Sequence, residues 1–267
     1  MAGDGTAGEP VLLGWPPEGP TLRLDHRRFS YAGKFVMSNT GKAIVPSAGG
    51  TSSGDRARGL FDDGVSGKDD PGLPGGDDAG LPGGDDAGLP GGDDAGYHGG
   101  VDDTDRDRSD DVLAVVSFNE DRTDPETLWI RYVSVREDHR GEGLAPRLCR
   151  FVVERASERD YARVRIAVNN PFAYEALYRA GFSYTGAETG LAELVLERPT
   201  VGPVERSTER YQAGLDRYRE HDRDRDRDLS AEEWAFLARN QDAGPPDLLL
   251  RSERGDRSEG STRNDSS

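Results

Sequence analysis

Arg140, Gly143 and Ala145 are the residues of this chain whose types and spacing are best suited to binding a ligand. Small residues let the backbone approach a bound group closely, and the first amides of a helix point outward without partners. Such a helix start binds phosphate through its amides and its dipole. Because Arg140 adds a charged donor, the pattern Arg140-x-x-Gly143-x-Ala145 predicts a site for a polyphosphate.

A strand and a helix are predicted to hold this turn in place. Residues 128–135 form a nearly continuous apolar and aromatic run, which is typical of a buried strand. After the turn, apolar residues recur at i, i+4, i+7 and i+8, which indicates one face of a helix running to about residue 159: Leu144, Leu148, Phe151 and Val152. The predicted site is therefore a strand-to-helix junction.

A second pattern follows about 25 residues later. Residues 168–173 read Val-Asn-Asn-Pro-Phe-Ala, and residues 177–182 read Leu-Tyr-Arg-Ala-Gly-Phe. Taken with Arg140-x-x-Gly143-x-Ala145, these segments resemble two motifs of the GNAT N-acetyltransferase superfamily, the acetyl-coenzyme A (acetyl-CoA) pyrophosphate loop and its "Asn-x-x-Ala … Leu-Tyr … Gly-Phe" segment. The resemblance covers residues 111–199, with 21–46 as plausible first strands, and the composition points to a haloarchaeal-type member.

The resemblance implies acetyl-CoA as cosubstrate and a role for each matching residue. The backbone around Val133 and Val135 would pair with the pantetheine arm like an added strand. Asn170 would touch that arm or the acetyl end, although a helix N-cap followed by proline explains it equally well. The turn would hold the pyrophosphate through Arg140, Gly141, Glu142, Gly143, Leu144 and Ala145.

Acetyl transfer to an amine needs a proton for the leaving thiolate and a neutral amine. In the family the proton often comes from a tyrosine four residues before the glycine of Gly-Phe, where this chain has Leu177. Tyr178 is therefore the first candidate for the general acid and Tyr174, one helical turn earlier, the second; a core role is the alternative for both. Three ionisable groups are nearby in the sequence: Glu126, Glu175 and His139. Surface exposure explains each of them and a water chain could serve instead, so no general base is assigned.

Charge and composition exclude several classes of function. The net charge is −17, and residues 47–110 carry 16 acids against five bases, or −11. An anionic chain without a basic cluster argues against nucleic acid as a partner. A single cysteine excludes an internal disulfide and a multi-cysteine metal site, and no apolar run is long enough to cross a membrane. We therefore expect a cytoplasmic protein without a metal, and the abundance of Asp over Lys suggests a halophilic archaeon.

The pattern of elements predicts a mixed α/β fold with a mostly antiparallel central sheet flanked by helices, as in GNAT proteins. We predict a flexible N-terminus over 1–20 and an acetyltransferase domain over 21–199, with first strands at 22–24 and 34–37. A low-complexity acidic insert over 47–110, in which Gly-Leu-Pro-Gly-Gly-Asp-Asp-Ala occurs three times, is predicted to be disordered. Residues 200–267 are predicted to be a charged, helical and disordered C-terminal extension.

The extension also contains acidic residues at the spacing of an EF-hand calcium loop, from Asp222 to Glu233. Arg227 occupies the place of the loop's invariant glycine, and Asp-Arg dipeptides repeat through the segment. We therefore interpret it as a solvated charged stretch.

The leading hypothesis is an N-acetyltransferase that moves the acetyl group directly from acetyl-CoA to an amine, with a small molecule or a protein N-terminus as acceptor. The alternative is a non-catalytic acyl-CoA-binding regulatory module of the same fold, suggested by the displaced tyrosine. A scaffold acting through its acidic insert is a third hypothesis. The sequence leaves the acceptor and the oligomeric state open.

Overall fold

The computed structural model describes residues 7–48, 111–190, 192–202, 204–224 and 228–249. The strands are β1 (Val11–Gly14), β2 (Gly41–Pro46), β3 (Val112–Glu120), β4 (Thr127–Val135), β5 (Arg163–Val168), β6 (Ser183–Glu188) and β7 (Leu194–Pro199). The α-helices are α1 (Leu144–Ser157), α2 (Pro171–Arg179), α3 (Thr208–Asp224) and α4 (Ala231–Arg239). Short 3-10 helices cover Ala32–Lys34 and Glu137–His139.

The seven strands form a single sheet in the order β1-β2-β3-β4-β5-β7-β6. Neighbouring strands are antiparallel except β4 and β5, which are parallel and joined through α1. The predicted fold class, a mostly antiparallel mixed sheet flanked by helices, is therefore confirmed. Most of the predicted acidic insert, residues 49–110, lies outside the described residues.

Two hydrophobic clusters cover the sheet. The larger contains the apolar faces of α1 and α2 together with side chains of β3, β4, β5 and β7. The smaller is formed by residues between β1 and β2 that pack on the first three strands, including Leu22, Phe29 and Phe35. The two clusters contain alternate residues of β2, so they pack on opposite faces of the first strands.

The strands of the N-terminal segment differ from the predicted ones in two respects. Within the region expected to be flexible, Val11–Gly14 pairs with β2, because its apolar side chains pack against both clusters. The expected strands at 22–24 and 34–37 are absent from the described chain there, which contains irregular backbone and a 3-10 helix. Leu22 and Phe35 are buried without a strand, and the amide of Leu22 donates to the Phe35 carbonyl at 3.0 Å.

The described part of the C-terminal extension packs into the larger cluster. Tyr211, Leu215 and Tyr218 of α3 are almost completely buried, and α4 adds Phe236 and Leu237. The helices α3 and α4 therefore share the core of the sheet, while the predicted domain boundary at residue 200 stays a prediction. Among the described helices, none is both long and apolar enough to cross a membrane.

Candidate functional site

The strands β4 and β5 separate part of the way along the sheet. Their parallel pairing runs from Thr127 with Arg163 to Ile130 with Ile166 and ends there. On its other side β4 stays paired with β3 to Val135, and the register shift after Ile130 leaves Arg131 as an extra, bulged residue. No described strand therefore pairs with the β5-facing edge of residues 131–135, which we call the open edge, and the chain continues from it through a 3-10 helix to the glycine turn.

The glycine turn adopts backbone conformations that favour glycine. Gly141 has φ of 87° and Gly143 has φ of 77°, both in the left-handed region. Gly143 is the N-cap of α1, and no side chain caps this helix. Since Pro146 has no N–H, the backbone donors at the helix start are those of Leu144 and Ala145. An uncapped helix start of this kind fits an anionic group.

His139 holds the shape of this turn from within. It is 7% exposed, and its Nδ1 lies 3.0 Å from both carboxylate oxygens of Glu142. Its Nε2 contacts the guanidinium of Arg136, which can only donate. The guanidinium donates to Nε2, and the other ring nitrogen, Nδ1, is the one that donates to Glu142. This use of the Glu142 carboxylate leaves only its backbone for a phosphate.

Arg140 lies on the outer side of the turn. Its side chain is 52% exposed, and its Nη2 donates to the Ser30 hydroxyl at 3.1 Å. Glu137 is its weakly held carboxylate partner at 3.8 Å. An ion pair between exposed side chains contributes little to stability, so the contact between Arg140 and Glu137 costs little to break.

Asn170 caps α2, as the structural alternative predicts. Its Oδ1 accepts from the Ala173 amide at 2.8 Å, and Pro171 is the first helical residue. The Nδ2 amide donates to Asn169 at 3.4 Å, a long hydrogen bond. The predicted contact of Asn170 with a cofactor stays a prediction, which the remaining donor capacity of Nδ2 permits.

The two predicted acid candidates meet each other rather than the open strand edge. The hydroxyls of Tyr174 and Tyr178 are 3.3 Å apart, and the Tyr178 hydroxyl accepts from the Tyr184 amide at 3.0 Å. Tyr184 belongs to β6, which is separated from β5 by β7. Burial raises the pKa of both phenols, so both keep their protons at neutral pH.

Tyr218 is the tyrosine that lies at the end of β5. Its side chain is fully buried, and its hydroxyl donates to the Val168 carbonyl at 3.2 Å. Val168 is the last residue of β5, beyond the point where β4 separates. The sequence did not single out Tyr218, because it is 50 residues from Val168 along the chain.

The carboxylates considered as a general base have different surroundings. Glu175 pairs with Arg179 at 2.5 Å, and the Glu126 side chain is 67% exposed. A pair that the sequence did not indicate joins His221 of α3 to Glu188 of β6, with 2.8 Å between Nε2 and Oε2. A hydrogen bond from Arg217, and then the one from His221, lowers the pKa of the Glu188 carboxyl.

The described acidic residues around the segment between α3 and α4 accept hydrogen bonds from the main chain. The Asp222 carboxylate accepts from the Leu229 amide at 2.7 Å, and Ser230 and Glu233 form a capping box at the start of α4. Arg227 and its neighbours 225 and 226 lie outside the described residues. Across the described ranges, no group of three or more His, Cys, Asp or Glu side chains is placed to hold a metal ion.

Part of the chain is similar to a known protein family. Residues 91–182 match the family model for the acetyltransferase (GNAT) family, which confirms the resemblance over that segment. No curated protein matches the chain. Similar solved structures include nourseothricin acetyltransferase, at 24% identity and a TM-score of 0.30 over 34% of this chain and 59% of that one.

Two further similar structures come from named organisms. The IAA acetyltransferase from Bacillus cereus ATCC 14579 is 23% identical, with a TM-score of 0.28 over 33% of this chain and 70% of that chain. The paia N-acetyltransferase from Thermoplasma acidophilum, solved in complex with coenzyme A, is 9% identical, with a TM-score of 0.30 over 34% of this chain and 55% of that chain. The present chain thus spans little more than half of two of these three proteins.

Proposed function

We propose that this protein is an acetyl-CoA-dependent N-acetyltransferase that transfers the acetyl group directly to an amine. The observation that carries the proposal is the open edge of β4 over residues 131–135, which runs into the uncapped start of α1. A ligand with an extended amide-bearing arm and a pyrophosphate at one end matches both parts, and CoA has that chemistry. The family match over residues 91–182 supports the same ligand.

The residues of this chain have distinct roles in binding CoA. The β4 backbone around Val133 and Val135 offers hydrogen-bonding groups to the two amides of the pantetheine arm, as an added strand would. The amides of Leu144 and Ala145 bind the pyrophosphate, and Arg140 supplies the positive charge. Gly141 and Gly143 keep side chains away from the phosphate oxygens.

For direct transfer the protein has to position the acceptor amine against the thioester and to assist the movement of protons. The acceptor amine attacks the thioester carbonyl carbon, the C–N bond forms and the C–S bond breaks. The nitrogen loses one proton and the sulfur gains one, so the products are the acetylated amine and the free thiol of CoA. Holding the two reactants together supplies much of the rate. The acceptor is a small-molecule amine or a protein N-terminus, and the chain's net charge of −17 favours a cationic one.

Two phenols compete for the role of proton donor. Tyr178 is the donor suggested by the sequence, whereas Tyr218 lies nearer to the separation of β4 and β5 through its contact with Val168. Replacing the true donor by Phe should reduce kcat by about 10²-fold or more, with KM for acetyl-CoA little changed. Comparing Tyr178→Phe with Tyr218→Phe therefore decides the assignment, and full activity of both variants would exclude either phenol as the donor.

A non-catalytic acyl-CoA-binding module is the second candidate, favoured by the position of the Tyr178 hydroxyl beneath β6. Release of free thiol from acetyl-CoA with a panel of amines separates the two functions. An acetyltransferase releases thiol in proportion to an acetylated amine, whereas a binding module stays at the rate of the protein-free control. The assay should include molar salt, because the composition suggests a halophilic source.

Binding itself is tested by variants of the turn. Arg140→Ala should weaken CoA binding at least tenfold in isothermal titration, since a charge-assisted hydrogen bond contributes about 1.5–3 kcal/mol. Arg122→Ala removes the same charge from an exposed residue between β3 and β4 and is the matched control. Equal CoA affinity of the Arg140 and Arg122 variants would refute a pyrophosphate site at this turn.

A further inference from the structure

The last described residues, 243–249, form a segment without regular secondary structure that lies across the helices; we call it the C-terminal strap. The Gln212 side chain donates to the Ala243 carbonyl at 2.6 Å. Arg206 donates to the Pro246 carbonyl and, through its other nitrogen, to the Tyr178 carbonyl at 2.7 Å. These contacts use main-chain atoms of the strap, so they fix its path on the domain rather than a particular side chain.

The end of the strap reaches the glycine turn. The Leu249 amide donates to the Arg179 carbonyl at 2.9 Å, and the Arg150 guanidinium donates to the Leu249 carbonyl. The Leu249 side chain points toward the start of α1, where its Cδ1 is 3.7 Å from the position that a Cβ on Gly143 would take. An apolar side chain thus lies in van der Waals range of the residue that caps the proposed pyrophosphate site.

We propose that the C-terminal strap is an autoinhibitory element that competes with the pyrophosphate of CoA for the glycine turn. This inference rests on the proposed function. A pyrophosphate at Gly143 needs donors and water around it, and an apolar side chain supplies neither. The strap also occupies Arg150, which lies on α1 two turns after Gly143 and is a cation that an incoming phosphate would otherwise attract.

The glycine turn is therefore covered either by the strap or by CoA. In the closed state Leu249 covers Gly143 and its carbonyl holds Arg150. In the open state CoA occupies the turn, and the strap loses its last two hydrogen bonds. Because the observed affinity is reduced by the fraction of molecules that are closed, weakening the closed state must raise the affinity for CoA.

Isothermal titration of the full-length protein with CoA tests this competition. Leu249→Ala removes the covering side chain, and we expect the Kd for CoA to fall about fivefold. Leu248→Ala is the matched control, because Leu248 is 42% exposed and the same size, and its variant should keep the wild-type Kd. An unchanged or higher Kd for Leu249→Ala would refute the proposed competition between the strap and CoA.

Hydrogen exchange gives a second reading that does not depend on a variant. The Leu249 amide is protected by the Arg179 carbonyl, so saturating CoA should accelerate its exchange, while the amides within β3 stay protected. Slower exchange at Leu249 with CoA would make the strap a part of the binding site and would also overturn the inference.

The titrations separate this inference from the proposed function. Equal Kd for CoA in the wild type, Leu249→Ala and Leu248→Ala would refute autoinhibition by the strap alone. If none of the three proteins binds CoA, both the proposed function and the autoinhibition are refuted.

Discussion

Replacing Gly214 by Ala should destabilise this protein, although the same change stabilises most helices. Gly214 lies in the middle of α3, where the helix crosses Tyr174 of α2. A Cβ at this position would lie 2.7 Å from the Tyr174 Cε2 and closer still to its hydroxyl. The Tyr174 ring cannot retreat, because Tyr178 and Tyr211 pack against it with ring centroids 4.9 and 5.6 Å away.

The magnitude follows from two opposing effects. Ala in place of Gly in a helix interior contributes about 1 kcal/mol of stability. Forcing an extra methyl group into a packed core costs about 1–3 kcal/mol. The overpacking cost lies at the upper end of its range, about 2–3 kcal/mol, because the added Cβ would lie under 3 Å from a fully buried Tyr174 ring. After the gain in helix propensity, Gly214→Ala should lower the free energy of unfolding by about 1–2 kcal/mol. For a domain of this size the melting temperature would fall by about 4 °C.

Urea and thermal unfolding of the full chain measure this change. Ala213→Gly is the control, since Ala213 is the exposed neighbour on the same helix and reports the helix propensity alone. We expect it to cost about 1 kcal/mol. If Gly214→Ala were as stable as the wild type or more stable, the close packing of α3 on α2 would be refuted.

Three further predictions concern ionisable groups. A hydrogen bond from Arg217 is the main reason why the pKa of Glu188 lies below its ordinary value of 4.5. The ionised carboxylate therefore contributes stability above pH 4.5, and this contribution is lost as the pH falls through the lowered pKa. In Glu188→Gln, the free energy of unfolding measured in urea should fall less steeply between pH 6 and 3 than in the wild type. Burial lowers the pKa of Lys42 from 10.5 to about 8, so between these values the unfolded chain binds this proton and the folded protein does not. The free energy of unfolding should therefore rise between pH 8 and 10. The Lys42→Met variant should lack this rise, and a rise that persists in the variant would have to come from other groups. Burial raises the pKa of the Cys149 thiol to about 12, so iodoacetamide should label it only after unfolding, and rapid labelling of the native protein would contradict its place in the core.

The sequence predicts the elements around the turn well because local patterns specify them. The apolar and aromatic run that begins at Leu128 and ends at Val135 becomes β4, and the helix that follows begins at Leu144 as its apolar spacing indicates. Pro171 and Gly181 likewise mark the start and end of α2. Apolar patterns and single proline and glycine residues were therefore sufficient to predict these elements.

Long-range contacts explain what the sequence did not predict. The strand β1 forms because Val11–Gly14 finds an antiparallel partner in β2, about 30 residues away, and no local signal near Val11 reveals that partner. The packing of the C-terminal extension brings the Tyr218 hydroxyl to the end of β5 and the Leu249 side chain to the start of α1. A charged, repetitive tail gave no sign that its helices would bury tyrosines against the sheet.

A crystal structure of the protein with CoA tests the central claim most directly. We predict the pyrophosphate at the amides of Leu144 and Ala145 with Arg140 against it, and the pantetheine arm along the open edge of β4. The side chain of Leu249 should have moved away from Gly143 in that complex. CoA bound away from the glycine turn, or no bound CoA at millimolar concentration, would contradict the proposed function.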